Sequence, residues 1–432
     1  QSIMLFDFLH PTEKVAEILK RIYTFGMTTT SGGNISMKDD EGTIWITPSA
    51  VDKGSLSAAD IVRIDPNGEV RGLHPPSSEL PFHLAIYKVR PDIRGIIHAH
   101  SPILVSFSII QKVPNTRIIP QAYELCGKTG YAPYELPGSE ALGLSIAHEF
   151  EKGINAVIME NHGTVVGGHS LQEAFARFET LEFCAKTEAQ ATAIGAVQEL
   201  SEEQITVFQN RTHIQWPEFD PLQPTENELK IRGELVRIMQ RAYRQELIIS
   251  TFGTFSARLG EDAFIITPTD FDRYYIRRED LVLVRNGQKE KGKWPSKATE
   301  VHRQIYQDHP DIHCIIFAQS PYATAYAVAR KEVDTRTIPE SYILLRELPL
   351  IPYGSQYHDG KTLSAAISST TPILLIENDS VLVTGNSILS TFDRLEVAEF
   401  SARSLTLARQ MGELQPIDDQ RISELKERFH LG

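Results

Sequence analysis

Two histidines one residue apart, in Arg94-Gly-Ile-Ile-His98-Ala-His100, carry the clearest chemistry in this chain. The apolar run around them reads as a short buried strand, and side chains two apart on a strand leave from the same face. His98 and His100 therefore point together. A carboxylate lies just upstream, because Pro75-Pro76-Ser77-Ser78-Glu79 reads as a turn feeding a helix, with Ser78 as its N-cap and Pro81 tolerated in a first turn whose amides lack intrahelical partners. Phe82, Ile86 and Val89 give that helix one apolar stripe, and Pro91 ends it. Two imidazoles on one face, beside a carboxylate at a helix start, are the makings of a mononuclear metal site. A third imidazole is available in Ile158-Met-Glu-Asn161-His162-Gly163, where His162 follows an apolar run and stands at a strand end before glycine. Three histidines leave a coordination position open to water or to a substrate oxygen, which marks a catalytic rather than a structural site. His-x-His also arises by chance, and a histidine in an apolar run is commonly a packed core residue. The combination with Ser-Ser-Glu upstream and Asn-His-Gly downstream is what singles this stretch out. His83, beside Phe82 on the helix, reads as packed or solvent-facing.

The surrounding elements must bring these residues together. Val15, Ile18, Leu19 and Ile22 keep helical spacing between Thr12 and Gly26. Thr28 to Asn34 is small, polar and glycine-rich, so its backbone can approach an anion closely. Thr43 to Thr47 reads as a strand running into the polar turn Pro48-Ser49-Ala50. Short strands follow at Asp60–Ile64 and Glu69–Gly72 around a Pro-Asn-Gly turn. After the histidine strand, Ile103 to Ile110 reads as a helix, Ile118 to Gly138 as loop with a short strand, Ser139 to Lys152 as an amphipathic helix, and Leu171 to Ile194 as a long helix. Alternation of strands and helices favours a sheet flanked by helices on both faces. Lys53 and Lys88 read as solvated, and neither is needed as a Schiff-base nucleophile.

At 432 residues the chain is long enough for two or three domains. With 43 Lys and Arg against 56 Asp and Glu, its net charge of -13 argues against nucleic acid or an anionic membrane as partner. No apolar run approaches the roughly 20 residues of a membrane span, and nothing near the start has a signal-peptide layout. The three cysteines, Cys126, Cys184 and Cys314, are too scattered for a disulfide framework or a thiolate metal site. A reduced, cytoplasmic enzyme is the expectation.

Five ordered motifs carry a family resemblance: Ser31-Gly32-Gly33-Asn34-Ile-Ser36, Ile46-Thr47-Pro48-Ser49, Pro76-Ser77-Ser78-Glu79, His98-Ala-His100-Ser-Pro102 and Asn161-His162-Gly163. The chain resembles the class II aldolase/adducin family, most nearly its fuculose-phosphate aldolase-like members, from about Pro11 to Gly195. The resemblance implies an α/β fold made of a mostly antiparallel sheet between helices. It implies that His98, His100 and His162 hold a divalent ion, Zn2+ first, with Co2+ or Mn2+ as alternatives. It also implies that Gly33, Asn34, Thr47, Ser49, Ser77 and Ser78 hold a substrate phosphate. Members of the family often carry glycine where this chain has Ala50. On this reading the ion acts as a Lewis acid on a ketose phosphate of the fuculose 1-phosphate kind, Glu79 shuttles a proton, and retro-aldol cleavage releases dihydroxyacetone phosphate and an aldehyde. Ribulose-phosphate 4-epimerases and sugar-phosphate dehydratases share the scaffold and remain alternatives, as does a non-enzymatic adducin-like binding protein. The partners implied are a small sugar phosphate and further copies of the chain, as a dimer of tandem chains mimicking the family's fourfold ring.

Beyond a proline-bearing stretch the pattern begins again, giving a first domain at 1–197, a linker at 198–225 and a second domain at 226–432. Thr251 to Ser256 falls where Ser31 to Ser36 did, and Ile266 to Thr269 where Ile46 to Ser49 did. The chemistry is not repeated. With His302 set against His83, Ala298 lands on Glu79, Phe317 on His98 and Gln319 on His100, and Glu377-Asn378-Asp379, matched separately, puts Asp379 on His162. One carboxylate and one amide are a poor substitute for three imidazoles. The second domain is therefore expected to bind no catalytic metal and to serve a structural purpose.

Overall fold

The computed structural model describes residues 5–211 and 213–432. The chain forms two compact units, one of Leu5–Arg117 and Gln121–Lys186, the other of Ile118–Pro120 and Thr187–Gly432.

In the first unit, helix α1 (Pro11–Thr24) starts at His10, whose ring accepts from Thr12 N while Glu13 caps the His10 amide. It ends where Gly26 takes φ +70, the left-handed turn that suits glycine after a helix. The strands are β1 (Asn34–Lys38), β2 (Ile44–Ile46), β3 (Val62–Ile64), β4 (Val70–Arg71), β5 (Gly95–Ala99), β6 (Gly130–Ala132), β7 (Ala156–Met159) and β8 (Gly163–Gly168), and the further helices are α2 (Leu80–Val89), α3 (Pro102–Ile109), α4 (Pro120–Cys126), α5 (Glu140–Glu151) and α6 (Leu171–Ile194). The sheet order is β4-β3-β2-β1-β5-β8-β7-β6. All neighbours pair antiparallel except the parallel edge pair β6 and β7. Successive side chains divide between the faces. Ile96, Val157 and Val165 join Phe82 and Ile86 of α2 and Leu142, Ile146 and Phe150 of α5 in one buried cluster. Ile35, Ile97 and Val166, a residue out of step, are buried on the other side, where α1 packs on β1 and α3 on β8. Helices thus cover both faces, as the alternation predicts.

The second unit repeats this plan. Its elements are α7 (Glu202–Gln209), β9 (Glu218–Phe219), α8 (Glu226–Arg244), β10 (Thr254–Gly260), β11 (Ala263–Ile266), β12 (Val282–Arg285), β13 (Gln288–Glu290), α9 (Thr299–Asp308), β14 (Cys314–Ala318), α10 (Pro321–Ala329), α11 (Pro339–Leu345), β15 (Leu350–Ile351), α12 (Lys361–Ala366), β16 (Ile373–Ile376), β17 (Ser380–Gly385), α13 (Ile388–Met411) and α14 (Asp419–Arg428). The order β15-β16-β17-β14-β10-β11-β12-β13 is the first sheet read from its other edge, with β9 added beyond β13. Stretch 198–225, expected as a linker, therefore does more than connect: β9 pairs with β13, Trp216 packs on the core of this unit, and Ile205 and Phe208 of α7 are buried. A second difference is α4, which occupies part of the stretch read as loop. Pro120 suits its first turn, and Ala122 and Cys126, at i and i+4, are buried. Among the described residues no helix is long and apolar enough to cross a membrane.

Candidate metal centre

β5 delivers the two histidines. Its register is set by β1 on one side, where Asn34 faces His98, and by β8 on the other, where Val165 faces His98. The chain then leaves the sheet into α3, so His98 and His100 stand at the end of the strand with ring centroids 4.7 Å apart. His162 comes from the tight turn between β7 and β8, in which Asn161 takes φ 52, a conformation asparagine tolerates. Its ring lies 4.9 Å from that of His98 and 5.4 Å from that of His100. Two glycines permit the approach. A Cβ on Gly163 would sit 2.7 Å from the Ala99 carbonyl and 2.8 Å from His100 Cδ2, and Gly33, at φ +80, would collide with the His98 carbonyl at 2.7 Å.

Glu79 completes the cluster. It is the N-cap of α2, and its oxygens lie 3.1 Å from Nε2 of His98 and 3.1 Å from Nε2 of His162. Asn34 Nδ2 donates to Glu79 Oε2 at 2.7 Å. Burial opposes ionisation of Glu79, but the charge on His98 and hydrogen bonds from His162, His98 and Asn34 outweigh it and hold the carboxyl well below its ordinary range. Burial, then the charges of His98 and His162, lower His100 to about 4 and keep it a neutral imidazole at neutral pH.

The donor set fits a divalent cation. His98 Nδ1 lies 2.9 Å from the Thr164 carbonyl, which would hold the ring proton there and leave Nε2 to a cation once one is bound. Nε2 of His100 is 3.0 Å from that atom. Imidazole nitrogens and a carboxylate this close together can share one positive charge, a proton or a cation, and three nitrogens with one oxygen suit zinc or a similar ion. Among the described residues, His98, His100 and His162 are the group of metal-ligating side chains whose ligand atoms converge, all within 4.8 Å.

The expected phosphate residues lie around the same end of the sheet. Ser49 N donates to the Pro75 carbonyl at 3.0 Å and Ser77 N to the Thr47 carbonyl at 3.1 Å, so the turns at Pro48 and Pro76 run side by side. Thr47 is fully buried and its hydroxyl accepts from Ile35 N at 3.1 Å. The Asn34 side chain is held between His83 and Glu79. Ser77 Oγ accepts from Glu79 N at 3.2 Å, and Ser78 is exposed. Ser78 is not the N-cap: Leu80 N donates to the Ser77 carbonyl at 3.0 Å across a turn at Ser78 and Glu79, so the cap position falls to Glu79 and the helix begins at Leu80. Lys53 is buried, not solvated; its Nζ donates to the Pro48 carbonyl at 3.0 Å, and burial lowers its pKa. Ala50 stands in the left-handed region at φ 56, where glycine is favoured.

Sequence reasoning missed a row of residues behind Glu79. His83 is packed, not solvent-facing, and it bonds Asn34 and Ser36, while Ser36 bonds Tyr87. A signal was present. Glu79, His83 and Tyr87 recur at i, i+4 and i+8, one face of α2.

A sequence profile described as Class II Aldolase and Adducin N-terminal domain matches residues 13–189 and again 233–406. The chain belongs to the class II aldolase and adducin family. It is 32% identical to the 5-deoxy-D-ribulose 1-phosphate aldolase of Bacillus thuringiensis serovar kurstaki, over 45% of this chain and 91% of that protein. It is 33% identical to the 3-oxo-tetronate 4-phosphate decarboxylase of Haemophilus influenzae, over 40% of this chain and 84% of that protein. It is 36% identical to the L-fuculose phosphate aldolase of Methanocaldococcus jannaschii, over 39% of this chain and 91% of that protein. Each of these class II aldolase-family relatives spans less than half of the tandem chain.

Proposed function

We propose that the first copy of the fold, residues 1–197, is a metal-dependent lyase that cleaves a ketose phosphate of the fuculose 1-phosphate kind, and that the second copy holds no catalytic metal. The observation that supports this most is the convergence of His98, His100 and His162 beside the Glu79 carboxylate. His98, His100 and His162 would hold the ion, Zn2+ or another divalent transition metal. When bound, it supplies Lewis acidity to the substrate's carbonyl end.

The remaining work falls to the chain. In retro-aldol cleavage the hydroxyl of the carbon that becomes the aldehyde loses a proton, the carbon-carbon bond breaks, and its electron pair goes to the carbon next to the ketone, which is then protonated. Glu79, whose oxygens lie 3.1 Å from His98 and from His162, is the carboxylate placed to hold and return a proton. Gly33, Asn34, Thr47, Ser49, Ser77 and Ser78 line the neighbouring turns, which suit a phosphate beside the start of α2. Of these, Ser49, Ser77 and Ser78 are the hydroxyls placed to donate. No lysine nucleophile is required.

A second reading follows from the relative named as a 3-oxo-tetronate 4-phosphate decarboxylase. Loss of carbon dioxide from a 3-oxo acid leaves the electron pair on the carbon next to a ketone, just as retro-aldol cleavage does, so one site can serve either reaction. Metal analysis joined to a cleavage screen separates the outcomes. Dihydroxyacetone phosphate with an aldehyde marks an aldolase, carbon dioxide from a 3-oxo acid phosphate a decarboxylase, and interconversion of pentulose phosphates without cleavage an epimerase. No metal and no turnover on the whole panel would overturn the enzyme reading. We place the protein in the cytoplasm as a dimer of tandem chains, and a monomer by sedimentation would contradict the latter.

A further inference from the structure

Behind Glu79 runs an unbroken line of buried polar contacts. Asn34 Nδ2 is 2.7 Å from Glu79 Oε2, His83 Nε2 is 2.5 Å from Asn34 Oδ1, Ser36 Oγ is 2.7 Å from His83 Nδ1, and Tyr87 Oη is 2.8 Å from Ser36 Oγ. An ionised carboxylate only accepts, which fixes the direction of every bond. Asn34 must turn its NH2 to Glu79 and its carbonyl oxygen to His83. His83 must then carry its proton on Nε2 and leave Nδ1 bare, so Ser36 donates to Nδ1 and Tyr87 donates to Ser36. The environment agrees with each assignment. Burial, followed by the charge on His98, lowers His83 to about 3 and keeps it neutral, and burial pushes the Tyr87 phenol far up, keeping it a donor.

The second copy supplies the control. Ser256 still bonds His302 Nδ1 at 2.6 Å and Tyr306 Oη at 2.7 Å. At the Asn34 position stands Thr254, which pairs with Phe317 as Asn34 does with His98, and the Glu79 position is Ala298. His302 Nε2 is left buried with no hydrogen-bond partner among the described residues. Asparagine and glutamate have gone together while the tyrosine, serine and histidine remain, although an orphaned buried nitrogen is costly. The fold therefore does not need the asparagine; the carboxylate does.

We propose that His83 is the positioning residue for Glu79: with Tyr87 and Ser36 behind it, it locks Asn34 in the one orientation that donates to Oε2 and so holds the carboxylate toward His98 and His162. This rests on the reading of Glu79 as the proton carrier. A line of bonds with one polarity restrains the final side chain more than a single contact would.

The test uses the full chain loaded with Zn2+. His83→Phe keeps the stacking on Phe82 and removes both nitrogens, and His83→Gln keeps a donor. His83→Phe is expected to lower kcat about 10- to 100-fold, the range typical of lost outer-shell partners, with KM and zinc content nearly unchanged and partial recovery in His83→Gln. Unchanged kcat, or loss of zinc in step with activity, overturns the proposal. A second measurement needs no turnover. In metal-free protein, nitrogen-15 NMR of the histidine side chains, with His83 assigned by difference against His83→Gln, should show a neutral Nε2–H tautomer that shifts toward Nδ1–H in Ser36→Ala. An Nδ1–H tautomer in the parent chain overturns the polarity and with it the proposal. A parent chain without lyase activity would instead sink the functional reading while the tautomer still decides the hydrogen-bond line.

Discussion

Glu79 Oε1 lies 3.1 Å from Nε2 of His162, so a carboxylate from the head of α2 meets an imidazole from the turn between β7 and β8. Neither element is adjacent to the other in sequence, and the contact exists only because the sheet carries both to one end. Replacing Glu79 with Gln keeps the size and one acceptor but removes the carboxylate proposed to carry the proton. Turnover should fall by about 100-fold or more, the scale of general acid-base catalysis, with metal content retained. Unaltered kcat in this variant would remove Glu79 from the chemistry.

The imidazoles should behave differently. His98 is oriented by its bond to the Thr164 carbonyl, and His98→Ala deletes a proposed ligand whose geometry is already set. Zinc content and activity should fall together, and a chelator should abolish activity in the parent chain, with recovery on adding metal back. Asp379→Asn makes the contrasting prediction. Asp379 accepts from Tyr357 and Ser380 in the second copy, so metal content should be unchanged. Loss of metal there would place an ion in the wrong half.

Ala50 at φ 56 carries backbone strain. An L residue in the left-handed region costs about 1–2 kcal/mol, part of which glycine gives back through its larger freedom when unfolded. Ala50→Gly should therefore raise stability by about 1 kcal/mol in urea titration. A drop in stability would show that the Ala50 methyl contributes packing that outweighs the strain.

Glu399 sets a pH dependence unrelated to the metal centre. It is buried, accepting from the amides of Ala323 at 2.7 Å and Tyr322 at 3.2 Å, and burial raises it to about 7 against those bonds. A raised folded-state pKa means that the folded chain binds the proton more tightly than the unfolded chain. Its contribution is complete below about pH 4.5 and is lost as pH rises through about 7, roughly 3 kcal/mol in all. Glu399→Gln should flatten that slope in urea midpoints taken across the interval. A variant with the parent's slope would show that another group titrates.

Much of this arrangement was legible beforehand. The period-two spacing of His98 and His100, the glycine after His162 and the Ser-Ser-Glu before α2 located the cluster because each reflects a local rule of backbone geometry. The repeat was visible for the same reason. What stayed hidden depends on contacts distant in sequence. His83 could not be told from a solvent-facing helix residue without knowing that β1 brings Ser36 and Asn34 against α2. Lys53 looked solvated because nothing local shows that its amine reaches the Pro48 carbonyl. Ser78 yields the capping position to Glu79 because a turn closed from Leu80 N to the Ser77 carbonyl precedes the helix.

The pairing of Glu218 and Phe219 with β13 governs how the two halves can be separated. A fragment begun at residue 226 would bare the hydrogen-bonding rim of β13 and uncover the face on which Trp216 rests, inviting strand-to-strand aggregation. A fragment begun after α6, near residue 195, keeps both, so what looks like a tether belongs with the rear half.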